Sequence, residues 1–209
     1  MTIKNIIFDL SGVLIDDVYA VYVSYMYVFR KNNIKKITLG EFKDQFVLPY
    51  YLFVKKYIKN KDIIELKKQF YDFYNKQNFR PKAFKEAKPA LEFLKKKKIK
   101  MIVLSAKKEF FVKKELQQLS LKKYFTAIYG TVKDKSAVIK DLLKKHNFNP
   151  KETAYVGDMT HDIDAGKAGK VTTIAVLTGY QSKEKLEKSN PDFIIKDLTE
   201  LKKLIQCPS

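Results

Sequence analysis

Ile6-Ile7-Phe8-Asp9-Leu10-Ser11-Gly12-Val13-Leu14 reads as an apolar run, a lone aspartate, small residues and a second apolar run. The β-branched and aromatic residues between Ile3 and Phe8 predict a buried strand. Asp9 falls where that strand ends. Carboxylates are seldom fully buried without a partner. Gly12, three residues on, lets the backbone turn sharply. A carboxylate at the C-terminal edge of a parallel strand, ahead of a glycine turn, lies where open α/β sheets bind ligands. Capping of the next segment is the plainer role for the same residue.

Three further stretches repeat the theme. Val103-Leu104-Ser105-Ala106-Lys107 ends a second apolar strand in a hydroxyl. Lys135 opens an amphipathic helix in Lys-Ser-Ala-Val-Ile. Ala154-Tyr155-Val156-Gly157-Asp158-Met159-Thr160-His161-Asp162 ends a third strand in two acids. An Asp, a Ser, a Lys and a paired Asp, in that order, resemble the haloacid dehalogenase-like hydrolase superfamily. The resemblance covers nearly the whole chain and is nearest the phosphoglycolate phosphatase-like branch. Each motif is short, and the specificity lies in four of them occurring in sequence.

The 209 residues suit one core domain plus a modest insertion. No apolar run approaches the roughly 20 residues of a membrane span. The chain enters a strand directly, which reads as no signal peptide. The single cysteine, Cys207, excludes an internal disulfide framework and fits a reducing cytoplasm. It is poorly placed for a nucleophile. The formal net charge is +19, which attracts anions. Of 42 basic residues only Arg30 and Arg80 are arginines, and arginine is the usual bidentate reader of bases and phosphates. The lysines are spread along the chain, and Lys95-Lys96-Lys97-Lys98 ends a helix, where cations suit the dipole. The pattern predicts a solvated lysine surface and argues against nucleic acid as the partner. Nucleic-acid binding is therefore expected to be weak, sequence-independent and lost steeply with added salt. Tight, sequence-selective retention at physiological salt in a filter-binding assay contradicts this.

From Asp16 to about Ala83 the strands stop. Val18 to Lys31 is apolar nearly all round, as in a helix buried on two sides. Thr38 caps a second helix running to Phe46, with Glu41 placed for a capping box. Tyr50 to Ile58 and Asp62 to Asn75 read as further helices. Tyrosines crowd this region; packing between helices is the plainer role for them, and lining a substrate pocket the sharper one. After Pro81 strands and helices alternate, with strands at 101–104, 127–129, 153–156, 172–177 and 193–195. The helices between and after them span 109–119, 135–146, 162–168 and 198–205. This alternation predicts an α/β fold, a doubly wound parallel sheet. The expected division is a Rossmann-like core of residues 1–15 and 84–209 and an inserted all-helical cap of residues 16–83. Family members that carry a helical cap after the first motif agree with it.

The resemblance implies phosphoryl transfer from a small phosphorylated metabolite, by way of an aspartyl-phosphate on Asp9. It assigns Mg²⁺ to Asp9, Asp158 and the Ser11 carbonyl, with Asp162 binding a metal-bound water or orienting Lys135. Ser105 and the adjoining backbone, including Ala106, hold phosphate oxygens. Lys135 neutralises charge, and Lys133 is its rival. His161 reads as a loop histidine and His146 as a helix-end residue without function. Two positions depart from the family. Its phosphatases usually carry a second aspartate as general acid and base where this chain has Ser11. Asn often stands where this chain has Ala106. A serine hydroxyl is too weakly acidic to donate efficiently, and general acid–base catalysis is worth ~10²–10⁴-fold. Three readings follow. One is a phosphatase suited to weakly basic leaving groups. The second is a metal-free haloacid dehalogenase using the same Asp9, and the third an impaired binding protein that keeps the fold. Oligomeric state is not legible.

Overall fold

The computed structural model describes residues 2–77 and 79–206; Cys207 lies outside them. Among the described residues, six parallel strands form one sheet in the order β3-β2-β1-β4-β5-β6. They are β1 (Asn5–Phe8), β2 (Lys100–Leu104), β3 (Ala127–Tyr129), β4 (Thr153–Gly157), β5 (Thr172–Val176) and β6 (Phe193–Ile195). β1 pairs with β2 on one side and β4 on the other, so Phe8 is level with both Val103 and Val156. The chain winds outward from β1 through β2 to β3, then returns to start again at β4. That reversal opens a crevice beside the C-terminal end of β1, the place where doubly wound sheets hold ligands.

Alternation along the strands sorts the two faces. Ile6, Phe8, Met101 and Val103 pack on one face, against Leu91 and Leu94 of α5 (Ala87–Lys96) and Val112 and Leu116 of α6 (Glu109–Gln118). Ile7, Ile102, Leu104 and Tyr155 pack on the other, against Ile139 and Leu143 of α7 (Lys135–Lys145) and Ala165 of α8 (Thr160–Ala168). Burial on both faces is what keeps an all-parallel sheet stable.

Among the described residues, four helices stand between β1 and α5: α1 (Val18–Lys31), α2 (Leu39–Gln45), α3 (Tyr50–Tyr57) and α4 (Ile63–Lys76). They share an aromatic cluster of their own, built on Tyr22, Tyr25, Phe29, Phe42 and Phe53. Tyr25 meets the rings of Phe42, Phe46, Phe53 and Phe70. For the buried tyrosines, packing is thus the role the contacts support. The same cluster takes in Met159 and Tyr180 from the sheet side. Thr38 and Glu41 form the expected capping box: Glu41 N–H donates to Thr38 Oγ1 at 3.1 Å, and Thr38 N–H donates to Glu41 Oε2 at 2.7 Å. Thr38→Ala is expected to cost about 1 kcal/mol of stability, read as a lowered midpoint in urea unfolding.

The structure differs from the sequence reading at three places. A short helix, α9 (Lys183–Lys188), precedes β6. Only its Leu186 is buried, so no apolar periodicity announces it. α8 begins at Thr160 rather than Asp162, which makes His161 helical and puts Asp162 in the first turn. The last helix is a 3-10 turn, Leu198–Glu200, leading into α10 (Leu201–Gln206). Among the described residues no helix is long and apolar enough to cross a membrane.

Candidate active site

Strand register gathers the predicted residues. Asp9 follows β1 directly, and its N–H donates to the Val156 carbonyl at 2.9 Å. Ser105 follows β2, and Asp158 follows β4. Three carboxylates, those of Asp9, Asp158 and Asp162, each offer an oxygen within 4.8 Å of the others, and all three are buried. Asp134 caps α7 by accepting from the Ala137 N–H at 3.1 Å, which starts the helix at Lys135. The Lys135 side chain is only 2% exposed. Its Nζ donates to Asp9 Oδ1 and Asp162 Oδ1, both at 2.6 Å. Lys133, its rival, is exposed.

Asp162 is fully engaged. Oδ1 takes Lys135, and Oδ2 accepts the N–H groups of Met159 at 3.1 Å and Asp158 at 3.3 Å. A carboxylate in the first helical turn also suits the dipole of α8. The geometry therefore favours orienting Lys135 over ligating an ion directly. Gly157 makes room: a Cβ there would overlap the Asp162 side chain.

Asp158 is different. Its Oδ2 accepts the Tyr180 N–H at 2.6 Å, but its Oδ1 is buried with no hydrogen-bond partner. Gly12, at φ +77°, and Gly179 both press on this carboxylate, and a Cβ on either would collide with it. A buried carboxylate oxygen without a partner is costly unless a cation or proton reaches it. Asp158 and Asp9 each bring an oxygen within 4.8 Å of the other, an oxygen-only donor set of the kind a hard divalent cation takes. The residues fit Mg²⁺.

The charges follow from burial and pairing. Burial pushes the Asp9 carboxyl up to about 6; Lys135 opposes the rise and Asp162 adds to it. Burial, then the charges of Asp162 and Asp9, drives Asp158 well above the usual carboxylate range. Burial is the largest influence on Asp162 and would raise it, but Lys135 and His161 together outweigh it and hold Asp162 at about 2. Burial works to lower Lys135, and its two carboxylate partners instead lift it well above an ordinary lysine.

Ser105 is buried, and its Oγ accepts the Lys107 N–H at 3.3 Å. Ala106 is exposed beside it. The Ser11 hydroxyl donates to Asp17 Oδ2 at 2.7 Å. Asp17, just ahead of α1, also accepts from Lys107 Nζ at 3.3 Å and from the Tyr180 O–H at 2.9 Å. Asp17, Lys107, Gly179 and Tyr180 are the site neighbours that sequence reasoning left without roles. Lys107 and Gly179-Tyr180 adjoin quoted motifs or strand ends, and that adjacency is the signal available. Asp17 carried none. His161 Nδ1 lies 3.8 Å from Asp162 Oδ1 and helps to hold that carboxyl down, but His161 is not one of the three carboxylates that could share an ion. His146 ends α7, its Nε2 paired with the Tyr129 hydroxyl at 2.8 Å.

A sheet of this order, with acids at the ends of its two central strands and a buried lysine joining the first of them to Asp162, has known counterparts. The family model described as haloacid dehalogenase-like hydrolase matches residues 6–176, and the chain belongs to that family. A Caldanaerobacter subterraneus subsp. tengcongensis protein with the provisional name pyrophosphatase PpaX is 32% identical over 99% of this chain and 96% of its own. The phosphoglycolate phosphatase of Aquifex aeolicus is 28% identical over 97% of this chain and 96% of its own. Among solved structures, a haloacid dehalogenase-like family hydrolase from Streptococcus pneumoniae shares the fold. Its TM-score is 0.81 at 19% identity, with 98% of this chain and 99% of that one covered.

Proposed function

We propose that the chain is a Mg²⁺-dependent phosphatase acting on a small phosphorylated metabolite, with Asp9 as the nucleophile. The observation that carries this reading is the buried, unpartnered Asp158 Oδ1 beside Asp9. Asp9 and Asp158, with the Ser11 carbonyl, would hold the ion. Bound Mg²⁺ supplies charge neutralisation at the phosphoryl oxygens. Lys135 keeps Asp9 oriented and adds positive charge where the transition state gathers negative charge. Asp162 positions Lys135. Ser105 and the N–H groups after β2 receive the remaining phosphoryl oxygens. A metal-free dehalogenase leaves the Asp158 oxygen unexplained, so the phosphatase reading is preferred. The relatives named pyrophosphatase and phosphoglycolate phosphatase put both an anhydride and an alkyl ester within range.

Residues 16–83 are proposed to act as a lid over the core, 1–15 and 84–209. Their aromatic cluster reaches Tyr180 and Met159. Gln181 Nε2 donates to the Phe46 carbonyl at 3.1 Å, and Lys185 Nζ does so at 2.9 Å. A closed lid excludes water during transfer. The test is phosphate release from a panel of phosphorylated metabolites, with and without Mg²⁺. Release that needs Mg²⁺ and disappears in Asp9→Asn is expected. Release that persists in Asp9→Asn, or none with any substrate, would falsify the proposal.

A further inference from the structure

A cavity of about 240 Å³ lies where the chain crosses between the sheet and the helical segment. Asp16 and Asp17 belong to the first crossing, and Phe79, Arg80 and Lys82 to the second. The crossings are paired there: Asp16 N–H donates to the Lys82 carbonyl at 2.8 Å, and Phe84 N–H to the Leu14 carbonyl at 3.1 Å. Tyr19 of α1, Tyr74 of α4 and Glu115 of α6 also line it, so both halves of the molecule reach it. Asp9, Ser105, Lys135, Asp158 and Asp162 do not. The free charge around it is positive. Asp17 is buried and takes three donors, from Ser11, Lys107 and Tyr180. Glu115 is committed to Lys107 at 2.9 Å. Arg80 and Lys82 are exposed, and neither side chain has a hydrogen bond or ion pair among the described residues. Asp16 is the one lining acid left to set against those two cations. Aromatic surface adjoins them: the rings of Tyr74 and Phe79 lie 5.4 Å apart between centroids, and Tyr19 is 63% exposed.

We propose that this cavity is a second ligand site, apart from the catalytic carboxylates, and that it takes a small aromatic carboxylate. The guanidinium of Arg80 is a planar fork of donors that matches a carboxylate, and Lys82 adds a second positive charge. The ring of the ligand lies against Tyr74 and Phe79, where flat apolar surface is gained at little entropic cost. The volume sets the size. It is below the roughly 300–1,000 Å³ that holds a drug-sized ligand, so the occupant is a single ring with one anionic group. A cation is disfavoured, because Asp17 and Glu115 are already neutralised and Asp16 alone is free to meet it. The position gives the site a consequence, which rests on the lid reading above. A lid must turn about the two crossings, and a ligand held against both favours one setting of the helices over the sheet.

The experiment titrates the full chain with phenylacetate, followed by calorimetry, and repeats the titration with acetate, which lacks the ring, and with phenethylamine, which reverses the charge. Saturable binding of phenylacetate is expected, with each of the other two weaker by ~10-fold or more. Arg80→Ala should weaken phenylacetate by ~10-fold or more. Should that variant not fold, Lys82→Ala reads the same contact and is expected to weaken binding in the same direction. Saturating inorganic phosphate with Mg²⁺ should leave phenylacetate in place. The proposal is overturned by the absence of saturable binding, by acetate or phenethylamine binding as tightly, or by an unchanged affinity in the folded variant. Displacement by phosphate also overturns it, since the ligand then lies among the catalytic carboxylates. A chain that binds phenylacetate in the expected way but releases phosphate from no substrate loses the phosphatase reading and keeps this site.

Discussion

Lys135→Met is expected to lower turnover by ~10²–10³-fold, the usual cost of removing one preorganised charge stabiliser, and to destabilise the metal-free chain by about 3–5 kcal/mol. Methionine keeps most of the volume, so the loss is electrostatic. Lys135 is the one cation hydrogen-bonded to Asp9 and Asp162 among the described residues, at 2.6 Å to each. Without it, three buried carboxylates face one another. The pH dependence of stability separates this from a packing defect. Asp162 sits at about 2 in the folded chain against an ordinary 3.8. Its pairing therefore stabilises above about 4, and that contribution is lost as pH falls through 2. Asp9, raised to about 6, acts the other way and favours the folded state as pH falls from 6 toward 3.8. In Lys135→Met both carboxyls take protons more readily. The deficit in urea-unfolding free energy with chelator present should be largest near pH 7 and shrink toward pH 5. A deficit independent of pH argues for lost packing instead.

Gly179→Ala should weaken Mg²⁺ binding by ~10–100-fold, the range seen when groups that hold a metal ligand are disturbed. The added methyl would overlap Cβ, Cγ and Oδ2 of Asp158 together. A flexible side-chain tip could swing aside, but a Cβ fixed to its strand end cannot. Either Asp158 is pushed from its place, or the Tyr180 N–H that holds it withdraws. Calorimetric titration with Mg²⁺, alongside a thermal melt, reads the two effects separately. Unchanged Mg²⁺ affinity in the folded variant removes Asp158 from the metal site. Gly40, which has open space apart from Thr38 Oγ1, is the control position, and Gly40→Ala should leave Mg²⁺ binding unchanged.

What the sequence made legible was whatever lies close along the chain. Apolar runs ending in Asp9, Ser105 and Asp158 placed the strands, and parallel register then brought their ends together without further information. Lys135 is preferred over Lys133 because in Lys-Ser-Ala-Val-Ile it abuts the helix as the family's lysine does; the structure buries the first and exposes the second. The helix Lys183–Lys188 escaped notice because one buried leucine makes no pattern. Asp17 escaped for a different reason. Its partners lie 6, 90 and 163 residues away along the chain, so nothing local distinguishes it from Asp16. The orphaned oxygen of Asp158 was invisible for the same reason, since an absent partner is a property of three dimensions.

Tyr180 touches three parts of the molecule at once. Its N–H holds Asp158, its hydroxyl holds Asp17, and its ring lies 5.3 Å from that of Phe46 in the helical segment. Such a residue makes two equilibria share one free energy. If the proposed ion binds, steadying Asp158 would also steady the surface on which Phe46 rests, and separating the helices from the sheet would loosen the ion by the same factor. The reciprocity needs no moving part besides a single ring, and it would tie occupancy of the proposed metal site to closure of the proposed lid.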